Sequence, residues 1–104
     1  MRPNIVQSHA ADLTTLCRRF CVKRLELFGS AASADFDPAR SDLDFLVEFF
    51  PSSPSVHSDA YFGLLFALED LFDRRIDLIE EAAITNPLFR EAIAPNKVPL
   101  YAAA

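Results

Sequence analysis

Asp42-Leu43-Asp44-Phe45-Leu46-Val47-Glu48-Phe49-Phe50, stopped by Pro51, is the stretch on which the reading of this chain turns. Its β-branched and aromatic residues favour a strand, and proline ends it. Side chains alternate across a strand, so Asp42 and Asp44 share one face while Phe45, Val47 and Phe49 point the other way, toward covering helices. Aspartate is depleted in strand interiors. Two on one face repel each other wherever they are partly desolvated.

Upstream, Lys23-Arg24-Leu25-Glu26-Leu27-Phe28 alternates charged and apolar positions, the pattern of a half-buried strand, and Gly29-Ser30 ends it abruptly. Between the strands, Ala31 to Ala34 can begin a short helix and Phe36 to Ser41 reads as loop. Before them, Ile5, Leu13, Leu16, Cys17 and Phe20 recur at helical spacing, predicting a first helix over Ile5 to Phe20 capped by Ser8 or Asn4. Downstream, Pro51 to Ser55 reads as loop. A second helix is expected from about Ser58 to Phe72, with Tyr61, Leu64, Leu65, Leu68, Leu71 and Phe72 on its apolar face. Arg75 to Ile79 reads as a short third strand. Glu80 to Ala94 holds one or two short helices interrupted at Asn86-Pro87, and Val98 to Tyr101 is extended. The fold class is therefore α+β: a small mixed sheet of three strands, or four with the last segment, and helices packed on one face. Residues 1–104 form a single domain.

A chain of 104 residues, 51% apolar, has material for one core and little for a second lobe. Ten Lys+Arg against fifteen Asp+Glu give a formal charge of −5 and a pI near 4.8. That sign argues against non-specific nucleic-acid binding, which rests on phosphate neutralisation. No basic tract points to a membrane surface, and no apolar run reaches the roughly 18 residues of a spanning helix. Met1-Arg2-Pro3-Asn4 lacks the apolar region of a signal peptide, so a cytosolic setting is expected. Cys17 and Cys21, four apart in a helical pattern, fit neither a disulfide nor a zinc set and read as small buried apolar residues. Ala102-Ala103-Ala104 carries no signal.

Asp77 opens the third strand, so three carboxylates converge if strands two and three are neighbours. A hard divalent cation such as Mg²⁺ would relieve that repulsion, taking oxygen ligands and leaving positions for substrate phosphates. The competing reading has the acids at strand ends, solvated or paired with Arg40, Arg74 and Arg75. Gly29-Ser30 favours the first. Glycine lets the backbone turn tightly beside a ligand, serine adds a hydroxyl donor, and a helix starting at Ser30 would offer free N–H groups to phosphate.

Leu27-Phe28-Gly29-Ser30, then Ser41-Asp42-Leu43-Asp44, and later Arg75-Ile76-Asp77-Leu78 together resemble the nucleotidyltransferase superfamily of DNA polymerase β, and within it the minimal nucleotidyltransferases. The resemblance extends over nearly the whole chain. It implies that Gly29 and Ser30, with Ser41, hold a nucleoside triphosphate and that Asp42 and Asp44 bind metal. It further implies that Asp77 helps bind the catalytic metal and activate the attacking hydroxyl. The implied reaction is transfer of AMP from ATP, with two Mg²⁺ ions, and release of pyrophosphate. Many minimal members are antitoxins of HEPN-family ribonuclease toxins, and active ones resemble adenylyltransferases that modify a toxin tyrosine. A HEPN toxin is the implied partner, and the alternative is an inert antitoxin acting by binding. The family commonly continues Gly-Ser with an Arg-Ala-Arg-Gly-like segment, whereas this chain reads Ala31-Ala32-Ser33-Ala34 and lacks two positive charges there. Eleven residues separate Ser30 from Asp42, about one more than is usual.

Phe62, Gly63 and Phe66 lie beside the main stripe of the second helix, leaving it apolar over much of its circumference. Burial within the domain accounts for most of the ten phenylalanines; a partner or an oligomer contact is the other use of such a face.

Overall fold

A computed structural model describes residues 6, 8–29, 42–93 and 97–103. Asn4, Ser30, the Ala31–Ala34 segment, Arg40 and Ser41 lie outside the described residues, and with them the expected short helix and loop between the first two strands. The elements run α1 (Ala10–Arg19), β1 (Val22–Phe28), β2 (Leu43–Phe49), α2 (Pro54–Phe72), β3 (Ile76–Glu80), a 3-10 turn (Glu81–Ala83), α3 (Pro87–Ile93) and β4 (Val98–Ala102).

The extended C-terminal segment does join the sheet, making four strands in the order β3-β2-β1-β4. β1 is antiparallel to both β2 and β4, while β2 and β3 are parallel, as their connection through α2 requires. Leu25, Leu27, Leu43, Phe45, Val47, Ile76 and Leu78 turn to one face and are buried. Leu13 and Cys17 of α1, with Leu64, Leu68 and Phe72 of α2, close over them in a single core. Burying a large apolar side chain contributes roughly 1.5–3 kcal/mol, and this face supplies most of the fold's driving force.

Several boundaries move. The first helix is broken at Ser8–His9, which form a turn with the His9 N–H donating to the Val6 carbonyl at 3.1 Å. His9, rather than Ser8, therefore holds the N-cap position, and its side chain makes no capping bond; its Nδ1 lies 3.3 Å from Asp12 instead. The second helix begins at Pro54, four residues before the expected start, with Ser53 at its N-cap. Proline at the first helical position has a suitable φ and no N–H to waste, so Pro54, read as part of the loop, starts the helix. Cys17 is buried, and burial pushes its thiol up to about 12, but Cys21 is exposed and left-handed (φ 59°) at the α1–β1 junction. Gly63 lets α1 and α2 approach: a Cβ there would stand 2.5 Å from the Phe20 ring. Among the described residues no helix is long and apolar enough to cross a membrane.

Candidate functional site

The opposite face of the sheet is built differently. Its side chains run in rows across the strands, and the row nearest the C-terminal end of β1 is Phe28, Asp44 and Asp77, each directly paired with the next. β1 and β2 bring Phe28 beside Asp44, and the parallel β2–β3 pair brings Asp44 beside Asp77. The condition that β2 and β3 be neighbours is therefore met, and it brings Asp44 and Asp77 together. Asp42 stands just before β2, two residues from Asp44, and its Oδ2 is 3.9 Å from Arg75 Nε. Both groups of that pair are well exposed, so it holds Asp42 weakly. Among the described residues it is the one ion pair formed by these three acids.

Asp44 bears the electrostatic cost. Its carboxyl is pushed up to about 6, first by burial, then by a hydrogen bond with Asp77 and by the negative charges of Asp77 and Asp42. Two carboxyls can share a hydrogen bond only with a proton on one of them, so in this arrangement Asp44 donates and Asp77 accepts.

Gly29 follows β1 with φ +72°, a conformation glycine adopts without penalty. A Cβ there would collide with an Asp44 carboxylate oxygen. Gly29 is therefore required twice, by its own backbone angle and by the acid packed against it. This contact joins the two halves of the sequence motif. Ser30 and Ser41 lie outside the described residues, so the described part of the site comprises Gly29, Asp42, Asp44 and Asp77.

The donor set is all oxygen, which suits a hard divalent cation. Among the described residues, no three Asp, Glu, His or Cys side chains form a finished metal cage. Mg²⁺ rarely needs one, since it commonly binds through one or two carboxylates and completes its shell with water and phosphate oxygens. Asp44 and Asp77, with Asp42 released from Arg75, fit that requirement. A bound cation would also offset the repulsion that raises Asp44.

Further along this face the sequence pattern misleads. Glu26, expected on a solvated face, is only 9% exposed, covered by Lys97 at 3.5 Å and Arg24 at 3.9 Å. Arg24 also pairs with Glu48 at 3.1 Å and with Glu81 of the 3-10 turn. Glu81 lies 3.7 Å from Arg90 of α3, whose guanidinium donates to the Ile84 carbonyl at 2.8 Å. This lattice ties the segment after β3 to the sheet and sets Phe89 of α3 edge-to-face against Phe28, centroids 6.2 Å apart. Phe89 was not singled out from the sequence. Asn86-Pro87, an N-cap followed by a helix-initiating proline, signals the helix that carries it but not its contact with Phe28.

The nucleotidyltransferase domain family matches residues 13–100, which span every described element of the site. A protein of Methanocaldococcus jannaschii that carries the provisional name protein adenylyltransferase is 33% identical over 83 residues, 80% of this chain and 81% of that protein. Among solved structures, one provisionally described as a minimal nucleotidyltransferase superposes with a TM-score of 0.69 at 28% identity, covering 96% of this chain and 97% of the other. A chain from the complex of a tri-AMPylated Shewanella oneidensis HEPN toxin with its MNT antitoxin gives a TM-score of 0.64 at 17% identity. That alignment covers 94% of this chain and 73% of the other, a likeness of fold.

Proposed function

Because the chain belongs to the nucleotidyltransferase domain family, we propose that it is a Mg²⁺-dependent adenylyltransferase whose acceptor is a hydroxyl of a partner protein, a tyrosine of a HEPN-type toxin. The observation that carries this reading is the Phe28–Asp44–Asp77 row with Gly29 closed against Asp44. In it, paired acids stand beside a glycine turn that follows the strand.

In the reaction the acceptor oxygen attacks the α-phosphorus of ATP, the bond from that phosphorus to the bridging oxygen breaks, and pyrophosphate leaves. Bound metal supplies charge stabilisation at the α-phosphate and the leaving group. Asp42, Asp44 and Asp77 hold the cations, with Asp77, the most exposed of the paired acids, also turned toward the acceptor to take its proton. Gly29, together with Ser30 and Ser41, receives the triphosphate. Positioning and electrostatics account for most of the acceleration in phosphoryl-type transfers. The proposed setting is the cytosol.

A second reading, neutralisation by binding alone, draws on Phe62 and Phe66, which stack on each other 6.2 Å apart on α2 while 50% and 59% exposed. One experiment separates the two. The protein is incubated with labelled ATP, Mg²⁺ and the product of the adjacent gene, and both label transfer and toxin neutralisation are followed. Transfer is expected onto that product, with loss of at least a hundredfold in the Asp44→Asn variant. Label on the partner that is equal in the wild type and this variant would overturn the assigned roles. Neutralisation undiminished by Asp44→Asn would favour binding.

A further inference from the structure

The geometry points to Phe89, standing on Phe28 at the edge of the carboxylate row, as the platform on which the nucleobase of the bound nucleotide stacks. This rests on the nucleotidyltransferase reading and assigns it a base subsite.

Three observations combine. First, Phe28 is the cross-strand partner of Asp44, so the two side chains are immediate neighbours on one face. Second, Phe28 is itself 6% exposed, and its outer side is covered by the Phe89 ring at an interplanar angle of 89°. Phe89 remains 37% exposed, with Leu88 beside it at 73%. An open aromatic ring thus stands one side chain from the acids that would hold the triphosphate, on the β1 side. The other flank of the row ends in Asp77 and Arg75, both exposed and charged. A nucleotide with its phosphates at Asp44 carries its base one sugar away, toward either flank, and among the described residues the Phe28 flank presents an open aromatic ring.

Third, the platform is held in place. Asn86 Oδ1 accepts the Leu88 N–H at 2.9 Å, and the Arg90 N–H donates to the Asn86 carbonyl at 3.2 Å. The Arg90 guanidinium reaches the Ile84 carbonyl and Glu81, and Glu81 is paired to Arg24 of β1. A seven-residue helix is too short to be stable alone. Its clamps fix the ring before ligand arrives, which lowers the ordering cost of binding.

Stacking reads the face of a base rather than its edge, so the contact strengthens binding with little choice between adenine and guanine. The test is calorimetric titration of wild type, Phe89→Ala and Phe89→Trp with Mg²⁺ plus ATP, GTP or inorganic tripolyphosphate, with no acceptor present. Phe89→Ala is expected to weaken ATP and GTP about tenfold each, the loss of one base–aromatic stack, and to leave tripolyphosphate unchanged. Phe89→Trp is expected to restore nucleotide affinity. Equal ATP affinity in wild type and Phe89→Ala, with wild type binding normally, would overturn the base subsite alone. A parallel loss for tripolyphosphate would assign Phe89 to site architecture and overturn it too. Wild type binding neither ATP nor tripolyphosphate would overturn the nucleotide reading from which the subsite follows.

Discussion

The two faces of the one sheet obey opposite rules. Under α1 and α2, Leu25, Leu27, Phe45, Val47 and Leu78 are buried against apolar neighbours, and each close contact adds to stability. On the other face the same strands carry Glu26, Asp44, Glu48 and Asp77, and their pairing brings two acids together. The difference shows where this small fold can tolerate strain: the core face carries the stability that the site face gives up. It is the general pattern in which sites hold unfavourable groups that the scaffold compensates.

The largest effect should come from breaking the first face. Phe45 is fully buried, with its ring 6.0 Å from that of Phe72. Phe45→Ala should cost about 3–5 kcal/mol in urea denaturation, a large part of the stability of a domain this size. A loss below 1 kcal/mol would mean the core face is not the stabilising one.

Gly29→Ala should come next, lowering stability by about 1–3 kcal/mol. It forces a non-glycine residue to φ +72° and drives its Cβ onto Asp44. Because the collision is with a carboxylate, metal-dependent activity should fall more steeply than the melting temperature. Preserved activity with lowered stability would separate the turn from the site.

The smallest and most telling change has the opposite sign. Asp44 has its folded value raised to about 6 from an ordinary 3.8. Its stabilising contribution is therefore present below about pH 4 and lost as pH rises through about 6, because the folded state must then hold a charge it disfavours. Solvent reaches the group, so the penalty at pH 7 is on the order of 1 kcal/mol. Asp44→Asn should raise the melting temperature at pH 7.5, with the gain disappearing near pH 4, while abolishing catalysis. Mg²⁺ should raise the wild-type melting temperature at pH 7.5 and leave the variant nearly unaffected. A variant less stable than wild type at neutral pH would show that Asp44 is structural.

Local features of this arrangement were legible in the sequence. Asp42 and Asp44 announce a shared face by their spacing, and Gly29 announces a tight turn by its place after an alternating strand. The adjacency of Asp44 and Asp77 could be stated only as a condition, because strand order is a long-range property that no local pattern encodes. Glu26 was misread for the same reason: its burial depends on Lys97, far along the chain, and on β4 pairing with β1. Pro54 was misread locally, since proline ends one element and starts another with equal force. The contact of Phe89 with Phe28 was not legible, because it joins α3 to the far end of β1.

The parallel pairing of β2 with β3 also bears on the order of folding. The whole of α2 separates Asp44 from Asp77, and parallel strands join only after such a crossover has been laid down. The antiparallel pairing of β1 with β2 can form with both strands carrying their acids well solvated. Repulsion between the two aspartates is met only where β3 pairs with β2, and Leu64, Leu68 and Phe72 of the intervening helix cover the same sheet from its other side. A chain with β3 undocked would hold the two acids apart, so their unfavourable contact is tied to the crossover that also brings α2 onto the core.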